Sequence, residues 1–133
     1  MNAADLPHLV IGACMNVHRA LGPGLTQDAY EECLAIELRE LEFDFKRHVP
    51  LEFDYHGRTV QTATRLDFVI GGGLLLLVRA QDEITPLQQQ ELESKVRLGR
   101  FKIGLIVNFN VVTLRKGIHQ ITVKRRSESG KEK

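Results

Sequence analysis

At 133 residues the chain suits one domain, and 43% hydrophobic with 26% charged residues is the balance of a globular protein that buries a core of its own. Eighteen Lys and Arg face 17 Asp and Glu, a net charge of +1, but residues 124–133 hold five basic and two acidic side chains, so residues 1–123 hold 13 basic and 15 acidic. A body at −2 excludes the strongly basic surface of a dedicated phosphate-polyanion binder, and no run approaches the roughly 18 apolar residues of a membrane-spanning helix.

In chain order, Leu6, Leu9, Val10, Ala13, Val17, Ala20 and Leu21 recur at steps of three and four, which predicts a helix from Leu6 to Leu21. Gly22-Pro23-Gly24 stops it. Thr26 is the expected N-cap of a second helix that runs to about Leu41 through Ala29, Tyr30, Cys33, Leu34, Ile36, Glu37, Leu38 and Leu41. From Phe43 the period becomes two. Phe43 to His48, Val49 to Tyr55 and Arg58 to Val60 read as a β-meander with one wet face, with Pro50 at an edge or bulge.

Arg65 to Ile70, Gly71-Gly72-Gly73 and Leu74 to Ala80 form the next hairpin. Its second strand carries five consecutive apolar residues and is expected at the centre of a sheet covered on both faces. Thr85-Pro86 starts a third helix, in which Leu87, Gln90, Glu91, Ser94, Val96 and Leu98 trace only a weak apolar face. Lys102 to Val107 and Ile118 to Val123 are the last strands. One domain over residues 1–123 and a charged, flexible tail over residues 124–133 are expected.

Cys14 and Cys33 sit in apolar helical patterns without a CxxC spacing, so both are expected as core thiols. The N-terminus lacks the basic and apolar segments of a secretory signal, and a cytoplasmic location is the expectation.

Ile11-Gly12-Ala13 with Val17-His18 and Leu21-Gly22-Pro23-Gly24-Leu25, then Tyr30-Glu31-Glu32-Cys33-Leu34, Thr85-Pro86, and Gly104-Leu105-Ile106-Val107-Asn108-Phe109-Asn110 occur in one order. On these segments the chain, from about Leu6 to Val123, resembles the GxxExxY proteins, a bacterial and archaeal group within the PD-(D/E)XK nuclease superfamily. The resemblance implies an α/β fold: a restriction-endonuclease-like core with a mixed sheet flanked by helices, to which the β-meander is added. It implies phosphodiester cleavage by enzymatic relatives, with Mg²⁺ or Mn²⁺ held by an Asp on one strand and the Glu of a Glu-x-Lys on the next.

The residues depart from that pattern. Gly24 and Tyr30 are kept, but the Glu between them is Gln27; the Glu of the first helix is Asn16; Asp67 stands in place; and the Glu and Lys ten and twelve residues later are Leu77 and Arg79. Leucine offers a divalent cation no oxygen, and a guanidinium cannot be placed like a compact ammonium. Asn16, Gln27, Tyr30, Asp67, Leu77 and Arg79 therefore read as vestigial site positions, with no catalytic residue, no metal ligand set and no cofactor. Arg79 is expected to pair with Asp67 across the hairpin.

The scattered histidines, His8, His18, His48, His56 and His119, form no i, i+4 pair and read as surface residues, with His18 in a hydrogen-bonded role. Gly71-Gly72-Gly73 lacks the lysine and helix of a phosphate loop and reads as a turn. Asn108-Phe109-Asn110 reads as a turn just past a buried strand.

The sequence thus points to a catalytically inactive nuclease-like domain kept as a structural or interaction module that forms homo-oligomers, away from any membrane. Two alternatives stand beside it. One is a metal-dependent nuclease rebuilt from Asp67, Asp82 or Glu83, Glu91 and Arg79, which would use Mg²⁺ or Mn²⁺. The other is nucleic-acid binding without cleavage by Arg58, Arg65, Lys95, Arg97, Arg100 and the tail.

Overall fold

The computed structural model describes residues 5–123; the charged tail expected over residues 124–133 lies outside them. Helices α1 (Leu6–Leu21) and α2 (Gln27–Glu40) precede strands β1 (Phe45–Tyr55), β2 (Arg58–Ile70) and β3 (Leu74–Arg79); α3 (Pro86–Leu98), β4 (Ile103–Asn108) and β5 (Ile118–Thr122) follow. No helix among them is long and apolar enough to cross a membrane.

The strands form one sheet in the order β1-β2-β3-β4-β5, in which β3 and β4 are parallel and the other neighbours antiparallel. A parallel pair needs a crossover, and α3 supplies it. β3 is central, as its apolar run predicts, and residues 74–78 are all buried. Its side chains alternate between two cores, as period two requires. Leu74, Leu76 and Val78 join Val10, Cys14, Val17, Tyr30, Leu34 and Leu38 of α1 and α2, while Leu75 and Leu77 join Leu92 and Val96 of α3. Gly104 lets α3 approach β4 closely, since a Cβ there would lie 2.5 Å from a Val96 methyl.

Three expectations change. The short-stranded meander is instead one long hairpin of 11 and 13 residues, β1 and β2. Pro50 is indeed on an edge strand and beside a bulge: the register slips between Pro50 and Glu52, where Leu51 lies opposite residues 62–64 of β2. Upstream, His48 has a φ of 55°, a left-handed conformation that turns the strand over. Phe45 accordingly packs on the α1–α2 side, while Val49 and Phe53 pack on the α3 side.

The apolar stripe of α3 is Leu92 and Val96, one turn apart, whereas Leu87 is 67% exposed. Thr26 occupies the N-cap position of α2 but makes no cap hydrogen bond. Its hydroxyl donates to the Asp28 carboxylate instead, and that bond holds the Asp28 carboxyl below its ordinary range. The third helix does have a side-chain cap, a reciprocal box between Thr85 and Gln88 that satisfies the first amides.

Both cysteines are free. Cys14 is fully buried in the α1–α2 core, where burial pushes its thiol up to about 12, so it stays protonated and inert as a nucleophile.

Candidate functional site

The β2–β3 ladder ends at Phe68↔Leu76. One residue further along β2, Asp67 replaces backbone pairing with its side chain. Its Oδ2 accepts a hydrogen bond from the Val78 N–H at 2.9 Å and another from Arg79 Nη1 at 2.9 Å. The Asp67 residue is 9% exposed. Arg79 Nη1 also donates to Val78 O at 2.6 Å, which folds the guanidinium back along its own strand. The pairing of Asp67 with Arg79 is thus present as a charge-assisted contact that closes the gap where the two strands part.

Leu77, two residues before Arg79 on β3, is 1% exposed and packs under α3. Asn16 is on α1, and Gln27 and Tyr30 are on α2. Asn16 donates to Glu37 and accepts from Arg19, and Gln27 donates to Glu31 at 2.8 Å, so neither amide bonds to Asp67 or Arg79. Six positions read as one vestigial site are therefore divided between the helix pair and the β2–β3 gap.

Tyr30 has a structural task. Its ring is fully buried and stacks on Phe109, with centroids 4.7 Å apart. Its hydroxyl donates to Gly22 O at 2.6 Å and accepts from Leu25 N–H at 3.2 Å, tying down the loop between α1 and α2. Tyr30→Phe keeps the stack and strands both loop groups, so it is expected to lower stability by about 1–2 kcal/mol in urea melts with an unchanged m-value.

At the C-terminal ends of β3 and β4 lies a chain of amides. Asn108, 1% exposed, accepts from the backbone N–H groups of Gln81 and Asn110 and donates to Gln81 O at 2.8 Å. Gln81 and Gln88 exchange side-chain hydrogen bonds at 2.6 and 3.0 Å, and Asn110 accepts from Gly24 N–H at 3.0 Å. These amides satisfy one another and knit three loops together. His18 donates from Nε2 to Val111 O at 2.7 Å, since a carbonyl can only accept; this is the hydrogen-bonded role expected of it.

The sequence reading missed a second charged cluster. Glu31, 4% exposed, receives Arg47 at 3.2 Å, Gln27 on its other oxygen, and His48 at 3.6 Å, while the Arg47 guanidinium lies 5.2 Å over the Phe68 ring. His48 is on the surface as expected, with its Nε2 3.6 Å from this carboxylate. A signal was present: Arg47 alternates with Phe45, which packs on the α1–α2 side, and a charge on that face needs a partner.

The carboxylates of the rebuilt-site alternative are not gathered. Asp82, Glu83 and Glu91 are exposed, and among the described residues no three His, Cys, Asp or Glu side chains come together as a metal site. Of the basic set, Arg65 donates to His48 O at 3.1 Å, and Arg97 and Arg100 share a surface pocket of about 360 Å³ with Glu52 and Asp54. Arg58, at the β1–β2 tip, and Lys95, on α3, complete a set interleaved with acids.

A family model for the PD-(D/E)XK nuclease superfamily matches residues 4–121. The chain belongs to the PD-(D/E)XK nuclease superfamily. Neither the curated proteins nor the solved structures contain a match. The mixed five-stranded sheet flanked by helices is the restriction-endonuclease-like α/β core of this superfamily. Its divalent-metal chemistry needs anionic oxygens converging between two adjoining strands. In this PD-(D/E)XK domain the β2–β3 gap offers one carboxylate, whose inward oxygen is already taken by a guanidinium and a backbone amide, beside a leucine. These residues do not fit the metal.

Proposed function

We propose that the chain is a catalytically inactive PD-(D/E)XK domain of the GxxExxY type, kept in the cytoplasm as a structural or interaction module that associates with copies of itself. The observation that carries this reading is the Asp67 carboxylate. The side chain that would hold a metal instead accepts from Arg79 and from the Val78 amide, while Leu77 puts methyl groups where a second anionic ligand would stand. An ion pair combined with a backbone bond makes Asp67 part of the sheet's architecture. Self-association is supported by the small mixed sheet and by a net charge of only +1, which puts little repulsion between copies.

Calorimetric titration with Mg²⁺ and Mn²⁺ tests the first part. Neither ion is expected to bind more tightly than about 1 mM, the range of non-specific carboxylate contacts. Micromolar binding abolished by Asp67→Ala, with hydrolysis of DNA or RNA on adding the ion, would establish the nuclease instead. The particle mass in solution tests the second part: a monomer at all concentrations removes self-association. Binding to DNA that weakens steeply with salt would put nucleic-acid binding in its place.

A further inference from the structure

β5 is an outer strand, paired only with β4. The Val123 N–H donates to Lys102 O at 3.0 Å, which marks Lys102 and Val123 as a hydrogen-bonded pair. Alternation along an antiparallel ladder then turns the N–H and C=O groups of Ile118, Gln120 and Thr122 outward. Among the described residues no strand takes them.

A groove in two joined parts runs beside this edge. One part, about 610 Å³, lies between α1 and β5 over Ile11, Gly12, Met15 and Ile118; the other, about 360 Å³, continues over Met15 and Leu114. Met15 and Arg115 line both. The floor is apolar, and the charged side chains lining the two parts are Arg19 and Arg115, without a carboxylate. In the sequence Arg115-Lys116 precede β5.

We infer that the β5 edge and this groove receive an extended, acidic segment of a protein partner, added to the sheet as a sixth strand with one row of aliphatic side chains seated between α1 and β5. The inference rests on the interaction-module reading and supplies its partner chemistry. Outward amides and carbonyls at every second residue are matched by another backbone. The apolar floor takes aliphatic side chains at alternate positions of that strand, and the surrounding bases select Glu and Asp.

A second copy of β5 fits less well, because its strand carries no Asp or Glu to meet Arg19 and Arg115 and is itself preceded by Arg115-Lys116. The other outer strand, β1, is blunted by Pro50, its bulge and the left-handed His48. Nucleic acid lacks the alternating donors and acceptors of a strand, and neither part of the groove is lined by Phe, Tyr or Trp for stacking bases.

The test is fluorescence anisotropy of the full chain with a labelled peptide, Glu-Glu-Val-Thr-Ile-Thr-Val-Glu-Glu, at about 0.15 M salt. Saturable binding in the range of tens of micromolar is expected, weakened about tenfold or more when the four Glu become Lys. N-methylation of the peptide amides that would face β5 is expected to weaken it similarly while leaving the protein untouched. Gly12→Phe places a ring into the groove from a position where a Cβ meets nothing within 4 Å, and should block the peptide without lowering Tm.

No binding below about 1 mM overturns the inference. So does equal affinity for the Glu and Lys peptides, or indifference to N-methylation. A dimer of the unmodified protein that Gln120→Pro dissolves assigns the edge to a second copy and also overturns it. Hydrolysis of DNA by the same preparation would end the inactive-module reading, and is scored separately from the titration.

Discussion

Asp67→Ala is expected to lower the unfolding free energy by roughly 2–4 kcal/mol, among the largest effects of any polar substitution in this chain. The loss has two parts. The Val78 N–H loses the Asp67 acceptor at the point where the β2–β3 ladder has already ended, and a buried unsatisfied amide costs about 1–3 kcal/mol. The Arg79 guanidinium loses its counter-ion while its side chain is 18% exposed, so part of its charge is still screened by water, which reduces the full cost of an orphaned buried ion.

Asp67→Asn separates the two parts, because its carbonyl oxygen still accepts from Val78 while the charge is gone; about half the loss is expected. The double variant Asp67→Leu with Arg79→Leu removes both charges and should recover part of the loss, giving a coupling energy of about 1–2 kcal/mol in a double-mutant cycle. Urea melts of the unmodified protein, Asp67→Leu, Arg79→Leu and the double variant measure this coupling. A cost below about 0.5 kcal/mol for Asp67→Ala would mean that the carboxylate is not holding the strands, and would return it to candidacy as a ligand.

That pair was legible from the sequence because period two places Leu75, Leu77 and Arg79 on one side of β3, and a hairpin brings Asp67 alongside. The central place of β3 was legible for a similar reason, since five consecutive apolar residues can be buried only with cover on both faces. The Thr85-Pro86 start of α3 followed from cap chemistry that is local in the chain. What escaped was set by single backbone torsions and by long-range partners. His48 has a positive φ that no residue-type rule predicts for a histidine in a strand, and it moves Val49 and Phe53 to the side of the sheet opposite Phe45.

The same reversal hid the Glu31–Arg47 pair, because alternation judged from Val49 onward puts the wrong neighbours beside Arg47. On α3 the periodicity was started at Leu87, whose turn lies beyond the covered part of the sheet; counting back four from Val96 to Leu92 gives the true stripe. The division of the vestigial positions was illegible for a different reason. A motif shows which residue types are kept, but Asn16 and Gln27 form their own hydrogen bonds with Glu37 and Glu31 once their carboxylates are gone.

Restoring the pattern tests whether side chains alone silence the site. Leu77→Glu by itself puts a carboxylate into a position that is 1% exposed, beneath α3, and is expected to cost about 3–5 kcal/mol at neutral pH. Combined with Arg79→Lys it frees Asp67 from the guanidinium and supplies the second anionic oxygen. Mg²⁺ should then bind the folded state and offset part of the loss. At 100 times its dissociation constant an ion contributes about 2.7 kcal/mol, which for a domain of this size raises Tm by about 8–12 °C. The unmodified protein, titrated alongside, should shift by less than about 1 °C. A folded double variant that ignores Mg²⁺ would show that the β2–β3 gap itself has closed around the Asp67–Arg79 pair, so that loss of the site is written in the backbone as well as in position 77. A shift in the unmodified protein as large as in the variant would show that leucine is not what keeps the cation out.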